Sequence, residues 1–359
     1  MLRNVAETLM FAGFGGLVLG LSGMPAGYLS GSIMAVAAAS LAGRPMLIPV
    51  PLMRLLMTLI GVSLGAVVTP ETLQGMATYP LSIAVLLVAC VCISLAGTIY
   101  LRVVHGWDTV AAYLATAPGG LSQVMAIAIE MDADVRGIAI VQTIRVVIVA
   151  VCLPALLGLF GHGGHATRSL GGPFNPAQLG ELTMLIAISA AVAYAAHRVR
   201  FPGGLLFGAM LASAALHGSG YIHAVMPWWV AYSVMIAFGA VTGSRFAGTP
   251  LRMMLHFVGA AFGSFATAII IVAIFAVALV EFLSLPLAEV ILAYAPGAVD
   301  AMMLLALALN LNPVYVGAHH LTRIFFVLLT MPLVAHWARP KKLTDSPTKA
   351  PLPPPPFDD

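Results

Sequence analysis

Two arginines deep inside apolar segments are the residues best suited to do chemistry in this chain. Arg145 and Arg323 each lie about ten residues into an apolar run, which places them roughly 15 Å deep in a membrane helix. A guanidinium stays protonated, and at that depth it faces a partner or a polar cavity. The positions of the two arginines predict that the guanidinium groups contact an anionic solute, that they bond to nearby carbonyls or acids and hold the structure, or both.

A short Pro-Gly sequence stands ahead of each arginine, in Ala117–Gly120 and Ala295–Ala298. Proline cannot continue a helix ladder, so main-chain polar groups are released at a depth where only protein or a water cavity can cover them. A helix that begins after the break directs its N-terminal donors into that cavity, which favours an anion. A purely structural kink is the alternative. The candidate tip residues are Pro118, Gly119, Gly120, Pro296 and Gly297.

Four more polar residues join the candidate binding set. Ser122 and Gln123 follow the first tip and are expected to line a cavity. Asp300 follows the second tip and is expected either to neutralise Arg323 or to carry a proton or cation. His320 can titrate near neutral pH, which allows a proton relay or a packing role. No catalytic residue and no metal ligand is predicted.

The composition excludes a soluble protein. Apolar residues make up 61% of the 359 and charged residues 8%, against roughly 45–50% and about 25% in soluble domains. The net charge of +3 leaves no basic stripe for nucleic acid, and the 3 cysteines lack disulfide or zinc spacing. The apolar segments are 5–24, 26–43, 49–69, 79–101, 108–131, 135–160, 178–197, 202–218, 227–246, 254–284, 287–309 and 313–337.

The chain reads as a duplication with an offset of about 178 residues, which superimposes the two Pro-Gly sequences and the two arginines. Lys and Arg gather on one side only if segments 108–131 and 287–309 do not cross the membrane. We therefore expect an all-α polytopic membrane protein with two inverted repeats. Each has about five crossing helices and one re-entrant hairpin, with a broken crossing helix as the alternative. The expected divisions are a first repeat (1–172), a second repeat (173–338) and a disordered cytoplasmic tail (339–359).

The doubled pattern resembles the AbrB-type membrane protein family over nearly all of residues 5–338. Its most specific part is Ala295–Met302 with His319-His320 and Arg323. The first half has Gln142 in the place of His320, so a histidine role cannot be symmetric. Members carry labels such as AbrB family transcriptional regulator, regulator of AidB expression and ammonia monooxygenase. The resemblance implies a bacterial inner-membrane protein, and nothing in the chain resembles the small DNA-binding module of the same name.

Three functions are compatible with these features, and a secondary transporter for a small anionic organic solute is favoured. It would alternate access at the repeat interface and, in the absence of a Walker A motif, couple to an H+ or Na+ gradient rather than use a cofactor. The second is a membrane regulator that acts on gene expression indirectly. The third, a membrane monooxygenase, lacks a convincing metal set, so no enzyme is expected.

Partners and location follow from the same reading. The expected partners are a small anion and the lipid bilayer, with no nucleic acid, and a homodimer is an open alternative to a monomer. Both termini are expected in the cytoplasm. The apolar segment after Arg3 belongs to the repeat and is expected to be retained rather than cleaved as a signal peptide.

Overall fold

A computed structural model describes residues 2–67, 79–118, 121–159, 171–173 and 175–338. The described residues form α-helices with two short 3-10 turns and no strand. The helices are α1 (Leu2–Leu21), α2 (Gly27–Leu41), α3 (Val50–Gly65), α4 (Tyr79–His105), α5 (Thr109–Thr116), α6 (Leu121–Glu130), α7 (Val135–Leu159), α8 (Leu179–Arg198), α9 (Gly204–Gly218), α10 (Trp228–Gly243), α11 (Leu251–Leu283), α12 (Leu287–Tyr294), α13 (Val299–Ala308) and α14 (Pro313–Ala338).

The helices confirm an all-α polytopic membrane protein. Five of those described, α1, α4, α7, α8 and α11, are long and apolar enough to cross a bilayer, and four shorter apolar helices accompany them. The outer face of α11 is apolar as well as its inner face, since Ile270 and Ile274 are 60% and 64% exposed. Such a surface suits lipid rather than water.

Segments 108–131 and 287–309 are each divided into two short helices. An 8-residue helix (α5 or α12) is followed by a break and then by a 10-residue helix (α6 or α13). The first helix ends where Ala117 or Ala295 turns to an extended ψ, of 129° and 135°, directly before the proline. The Pro-Gly sequences therefore end a helix in both places, as predicted.

Each divided segment enters the bundle and returns to the same end. A Cβ placed on Gly137, at the start of α7, would lie 3.1 Å from the Trp107 ring, just before α5. In the second segment, Glu289 at the start of α12 accepts a hydrogen bond from the backbone N–H of Asn312, just before α14. A broken crossing helix would separate these partners by about 30 Å. We call α5–α6 hairpin 1 and α12–α13 hairpin 2.

The two hairpins enter from opposite ends of α4. Tyr79, the first residue of α4, accepts a hydrogen bond from Asn312 Nδ2 beside hairpin 2. At the other end of α4, the backbone N–H of Trp107 bonds to the carbonyl of Leu101, beside hairpin 1. The 27 residues of α4 thus separate the outer ends of the hairpins by roughly 40 Å.

Glycines bring the two halves of the chain into close contact in a reciprocal way. In α3, Gly61 packs against the Leu206 carbonyl of α9, where a Cβ would clash. In α10, a Cβ on Gly239 would meet the Leu29 carbonyl of α2 at 3.0 Å. The partners are related by the offset seen in the sequence. The duplication, its boundaries and the membrane sides of its ends stay predictions.

Candidate functional site

Arg145 anchors the tip of hairpin 1 from α7. Its Nη1 donates to the carbonyl of Thr116 at 3.1 Å and its Nη2 to that of Ala117 at 3.3 Å. These are the last carbonyls of α5, which have no partner within their own helix and carry the negative end of its dipole. The side chain is buried, and Nε has no hydrogen-bond partner among the described residues. Arg145 therefore holds the tip of hairpin 1, and its Nε–H donor is not used by these carbonyls.

Arg323 does the same at hairpin 2, from α14. Its Nη1 donates to the carbonyl of Ala295 at 2.7 Å, and its Nη2 donates to Nδ1 of His320. The Nε2–H of His320 donates a hydrogen bond to the carbonyl of Leu292 at 3.1 Å. This set of bonds requires a neutral imidazole with the proton on Nε2. His320 is thus a bridge between Arg323 and the first arm of the hairpin.

These bonds recur in the two halves at one offset. Gln142 Nε2 donates to the carbonyl of Leu114 at 2.7 Å, as His320 does to that of Leu292. All the pairs are related by 178 residues, including the bonds from the two arginines to Ala117 and Ala295. One difference is chemical: the Gln142 amide has no hydrogen bond to Arg145 among the described contacts, whereas the His320 ring accepts one from its arginine.

The site concentrates positive charge without a buried acid. Arg145 and Arg323 are 6% and 3% exposed. Among the described side chains, no Asp or Glu is buried, and neither arginine forms an ion pair. Buried charges are expensive unless paired, and carbonyl dipoles offset only part of that cost. The arrangement therefore favours an anion.

Asp300 has a different partner from the one expected. Its carboxylate approaches Arg245, at the end of α10, to 3.9 Å, and both side chains are 24% exposed. A second contact joins its Oδ1 to the backbone N–H of Ala301 at 3.2 Å, in the first turn of α13. The expected pairing with Arg323 is not present because Arg323 is turned towards the first arm of the hairpin. Asp300 thus supplies negative charge to the N-terminus of α13.

The remaining predicted residues lie around the two tips. Pro118 and Pro296 are buried, and Gly297 is half-buried against Met302. Gly119 and Gly120 lie outside the described residues, and so do the side chains of Ser122 and Gln123 within α6. Over the part of the chain that the structure describes, no group of three His, Cys, Asp or Glu side chains is placed to hold a metal.

A buried polar cluster beside hairpin 2 was not predicted from the sequence. Ser82 of α4 contacts His319 and Tyr315 of α14 through its hydroxyl, and its carbonyl accepts a 2.5 Å bond from the Tyr294 hydroxyl of α12. The spacing of Tyr315 and His319 was a usable signal, since residues four apart share a helix face. The sequence contains no comparable signal for Ser82, because this residue lies in an apolar run more than 200 residues before Tyr315 and His319.

Comparison with known proteins assigns the chain to a family. The model of the family described as "Transition state regulatory protein AbrB" matches residues 28–339. The chain belongs to the AbrB family. Among AbrB-like relatives, "Uncharacterized protein YhjN" of Bacillus subtilis is 24% identical over 92% of this chain and 92% of its own length. The Escherichia coli protein "Putative regulator AbrB" is 26% identical over 88% of this chain and 90% of its own length.

The family match confirms the expected resemblance and covers both hairpins and both arginines. The match begins in α2 and extends to the end of α14. The names of the two relatives mention regulation for one of them and a solute for neither.

Proposed function

We propose that this AbrB-family protein is a secondary transporter, not an enzyme, for a small organic anion that binds between the two hairpin tips. The observation that carries the proposal is the pair of buried guanidinium groups with no buried carboxylate among the described residues. A protein that only needed rigid hairpins could anchor their carbonyls with neutral donors, as Gln142 does at Leu114. Two buried cations are a costly way to do so unless an anion binds there.

The two tips contribute unequally to the proposed site. At hairpin 2, Arg323 is engaged by Ala295 and His320, and the N-terminus of α13 already has Asp300. At hairpin 1, Arg145 retains its Nε donor among the described contacts. A carboxylate would therefore be bound chiefly at hairpin 1 and be attracted from hairpin 2 by the charge of Arg323. This favours a solute with one carboxylate at the site over one that must be held at both tips.

The geometry also suits alternating access. The hairpins enter from opposite ends of α4, and each arginine helix packs beside the other hairpin: α7 beside α13, and α14 beside α5. A solute between the tips would be reached from one side of the membrane or from the other. The access would change as the helices α1–α3 and α8–α10 move against the helices that carry the hairpins and the arginines. We place the protein in the bacterial inner (plasma) membrane with both termini in the cytoplasm.

Solute exchange in proteoliposomes tests the proposal. Vesicles with the purified protein are loaded with one unlabelled carboxylate and mixed with its radiolabelled form, across a panel of pyruvate, lactate, succinate, citrate and glutamate. We expect exchange of at least one member and at least a tenfold loss in Arg145→Ala and Arg323→Ala. Arg102→Ala is the matched control, because Arg102 is exposed at the end of α4. If all variants exchange like the wild type, these arginines do not form the site.

An indirect regulatory role is the second candidate, and the names of the family and of the Escherichia coli relative favour it. Regulation would follow from movement of a metabolite or from docking of a partner to the short loops. A deletion strain complemented with Arg145→Ala separates the cases. If transcripts are restored while no panel solute moves, regulation does not depend on transport.

A further inference from the structure

His319 lies in a buried hydrogen-bonded chain beside hairpin 2. It is 0% exposed, and its Nδ1 donates to the carbonyl of Tyr315 at 2.7 Å. Because that carbonyl can only accept, the proton of the neutral ring is on Nδ1, and Nε2 accepts from the Ser82 hydroxyl at 2.8 Å. The Ser82 oxygen in turn accepts from the Tyr315 hydroxyl at 2.6 Å. The basic nitrogen of His319 thus ends a chain of two hydroxyl groups.

The other end of this chain approaches the outer end of hairpin 2. The ring of Tyr79 meets that of Tyr315 edge-on, with centroids 5.2 Å apart, and the Tyr79 hydroxyl accepts a bond from Asn312. The backbone N–H of Asn312 donates to Glu289, which is only half-buried. The Glu289 carboxylate at the outer end of hairpin 2 is therefore followed inwards by Tyr79, Tyr315 and then the interior hydroxyl of Ser82.

The matching positions of the first half do not carry the same residues. At an offset of 178 residues, Gly137 stands in the place of Tyr315 and Val141 in the place of His319. The hydrogen bonds that hold the two hairpins are otherwise matched. Hydroxyl groups also meet beside hairpin 1, at Thr98 and Thr116, but no histidine ends that chain among the described contacts. A histidine at the end of the chain is therefore not needed to build a hairpin. It suits a task that is carried out once per transport cycle.

We propose that His319 is the proton-coupling residue of the transporter and that a proton reaches it through Tyr315 and Ser82 from the outer end of hairpin 2. The inference rests on the proposed function and adds the proton as the coupling ion. During uptake, the Ser82 O–H bond breaks as the His319 Nε2–H bond forms. Tyr315 passes its proton to Ser82 and regains one from a hydronium ion at the outer end of hairpin 2, which becomes water. One proton is gained, and both hydroxyl groups are restored.

The charges around His319 supply the coupling. It is faced by Ser82 and Tyr79 of α4 and by Tyr294 of α12, whose ring centroid is 5.8 Å away. These groups are neutral, as is His320, its neighbour on α14. Arg323, one turn further along at about 6 Å between Cβ atoms, repels a positive charge on His319. A bound anion offsets that repulsion, so solute and proton bind together, and each raises the affinity for the other.

Two transport readouts in the same proteoliposomes test this proposal. Solute exchange at equal pH needs no net proton movement, whereas accumulation against a gradient needs a proton to enter with the solute. Pyruvate is the first probe, and the panel member that exchanges fastest replaces it if pyruvate is not exchanged. Wild-type vesicles with an alkaline interior are expected to accumulate the probe, and a protonophore is expected to abolish accumulation but not exchange.

Substitutions in the chain should separate the two readouts. Exchange is measured at saturating probe, so that a weaker affinity does not limit the rate. His319→Gln and Tyr315→Phe are then expected to retain exchange within twofold and to lose at least tenfold of the pH-driven accumulation. His217→Gln is the matched control, since His217 of α9 contacts the backbone carbonyls of Ser213 and Ala224, away from the chain, and it should retain both activities. Tyr315→Phe keeps the ring, so it serves if His319→Gln fails to fold.

The possible failures point to different causes. Wild-type exchange without pH-driven accumulation would overturn the proton inference and leave the proposed transporter standing. The same holds if both variants accumulate the probe like the wild type, or if they lose exchange and accumulation together. No exchange by the wild type would instead refute the proposed function, and the proton inference would fall with it.

Discussion

Arg145→Lys is the substitution that most closely examines how the site holds an anion. The change keeps the positive charge but replaces a planar fork of donors by a single ammonium group. In the structure two nitrogens of Arg145 donate to the carbonyls of Thr116 and Ala117, and Nε has no partner among the described residues, so the proposed solute would bind there. An ammonium group cannot serve all three positions with the same geometry.

The expected loss follows from the missing solute contact. A hydrogen bond to a charged group contributes about 1.5–3 kcal/mol. A loss of about 2 kcal/mol corresponds to a roughly 30-fold weaker affinity. We therefore expect Arg145→Lys to raise the dissociation constant of the exchanged carboxylate about 10- to 100-fold. The loss should be smaller than in Arg145→Ala, since part of the electrostatic attraction remains.

Equilibrium binding of the radiolabelled carboxylate to the purified protein measures this effect. Arg102→Lys, the same change at an exposed position on α4, should bind within twofold of the wild type. Thermal unfolding without solute is recorded in parallel, because a carbonyl left without a donor destabilises the hairpin independently of binding. An unchanged dissociation constant in Arg145→Lys would refute the role given to the Arg145 fork.

Two further predictions concern the fold around the site. Gly61→Ala pushes a methyl group against the Leu206 carbonyl, so we expect about 1–3 kcal/mol of destabilisation and a lower unfolding midpoint. Gly13→Ala, within α1 and with nothing within 4 Å, should be at least as stable as the wild type, since alanine favours a helix over glycine. Single cysteines at His105 and Ala133, in a chain without its 3 native cysteines, should react with an impermeant maleimide from the same side of the membrane. Labelling from opposite sides would contradict hairpin 1.

The breaks and arginines could be predicted because their signals are local. Pro118 and Pro296 end a helix because proline cannot continue the hydrogen-bond ladder. Arg145 and Arg323 each lie about ten residues into a later apolar run, and this number of residues indicates their depth in that helix. Asp134 supports the same point: a polar residue before an apolar run indicates a helix start, and its carboxylate caps α7 through the N–H groups of positions 136 and 137.

Side-chain partners across the bundle could not be predicted in the same way. Asp300 is close in sequence to the second tip, which suggested Arg323, but its partner is Arg245 in the 3-10 turn after α10. Ser82 meets His319 only because α4 passes beside α14, and nothing in an apolar run marks which serine has a distant partner. The sequence gives the ends and depths of the helices, while rotation about each helix axis depends on packing.

A structure determined experimentally with the exchanged carboxylate at saturating concentration tests the central claim most directly. We predict a carboxylate within hydrogen-bonding distance of Arg145 Nε, between the tips of the two hairpins and on the side of Arg323. If apolar side chains fill that space, or if Glu or Asp residues neutralise both guanidinium groups, the two arginines are structural and the transporter proposal is contradicted.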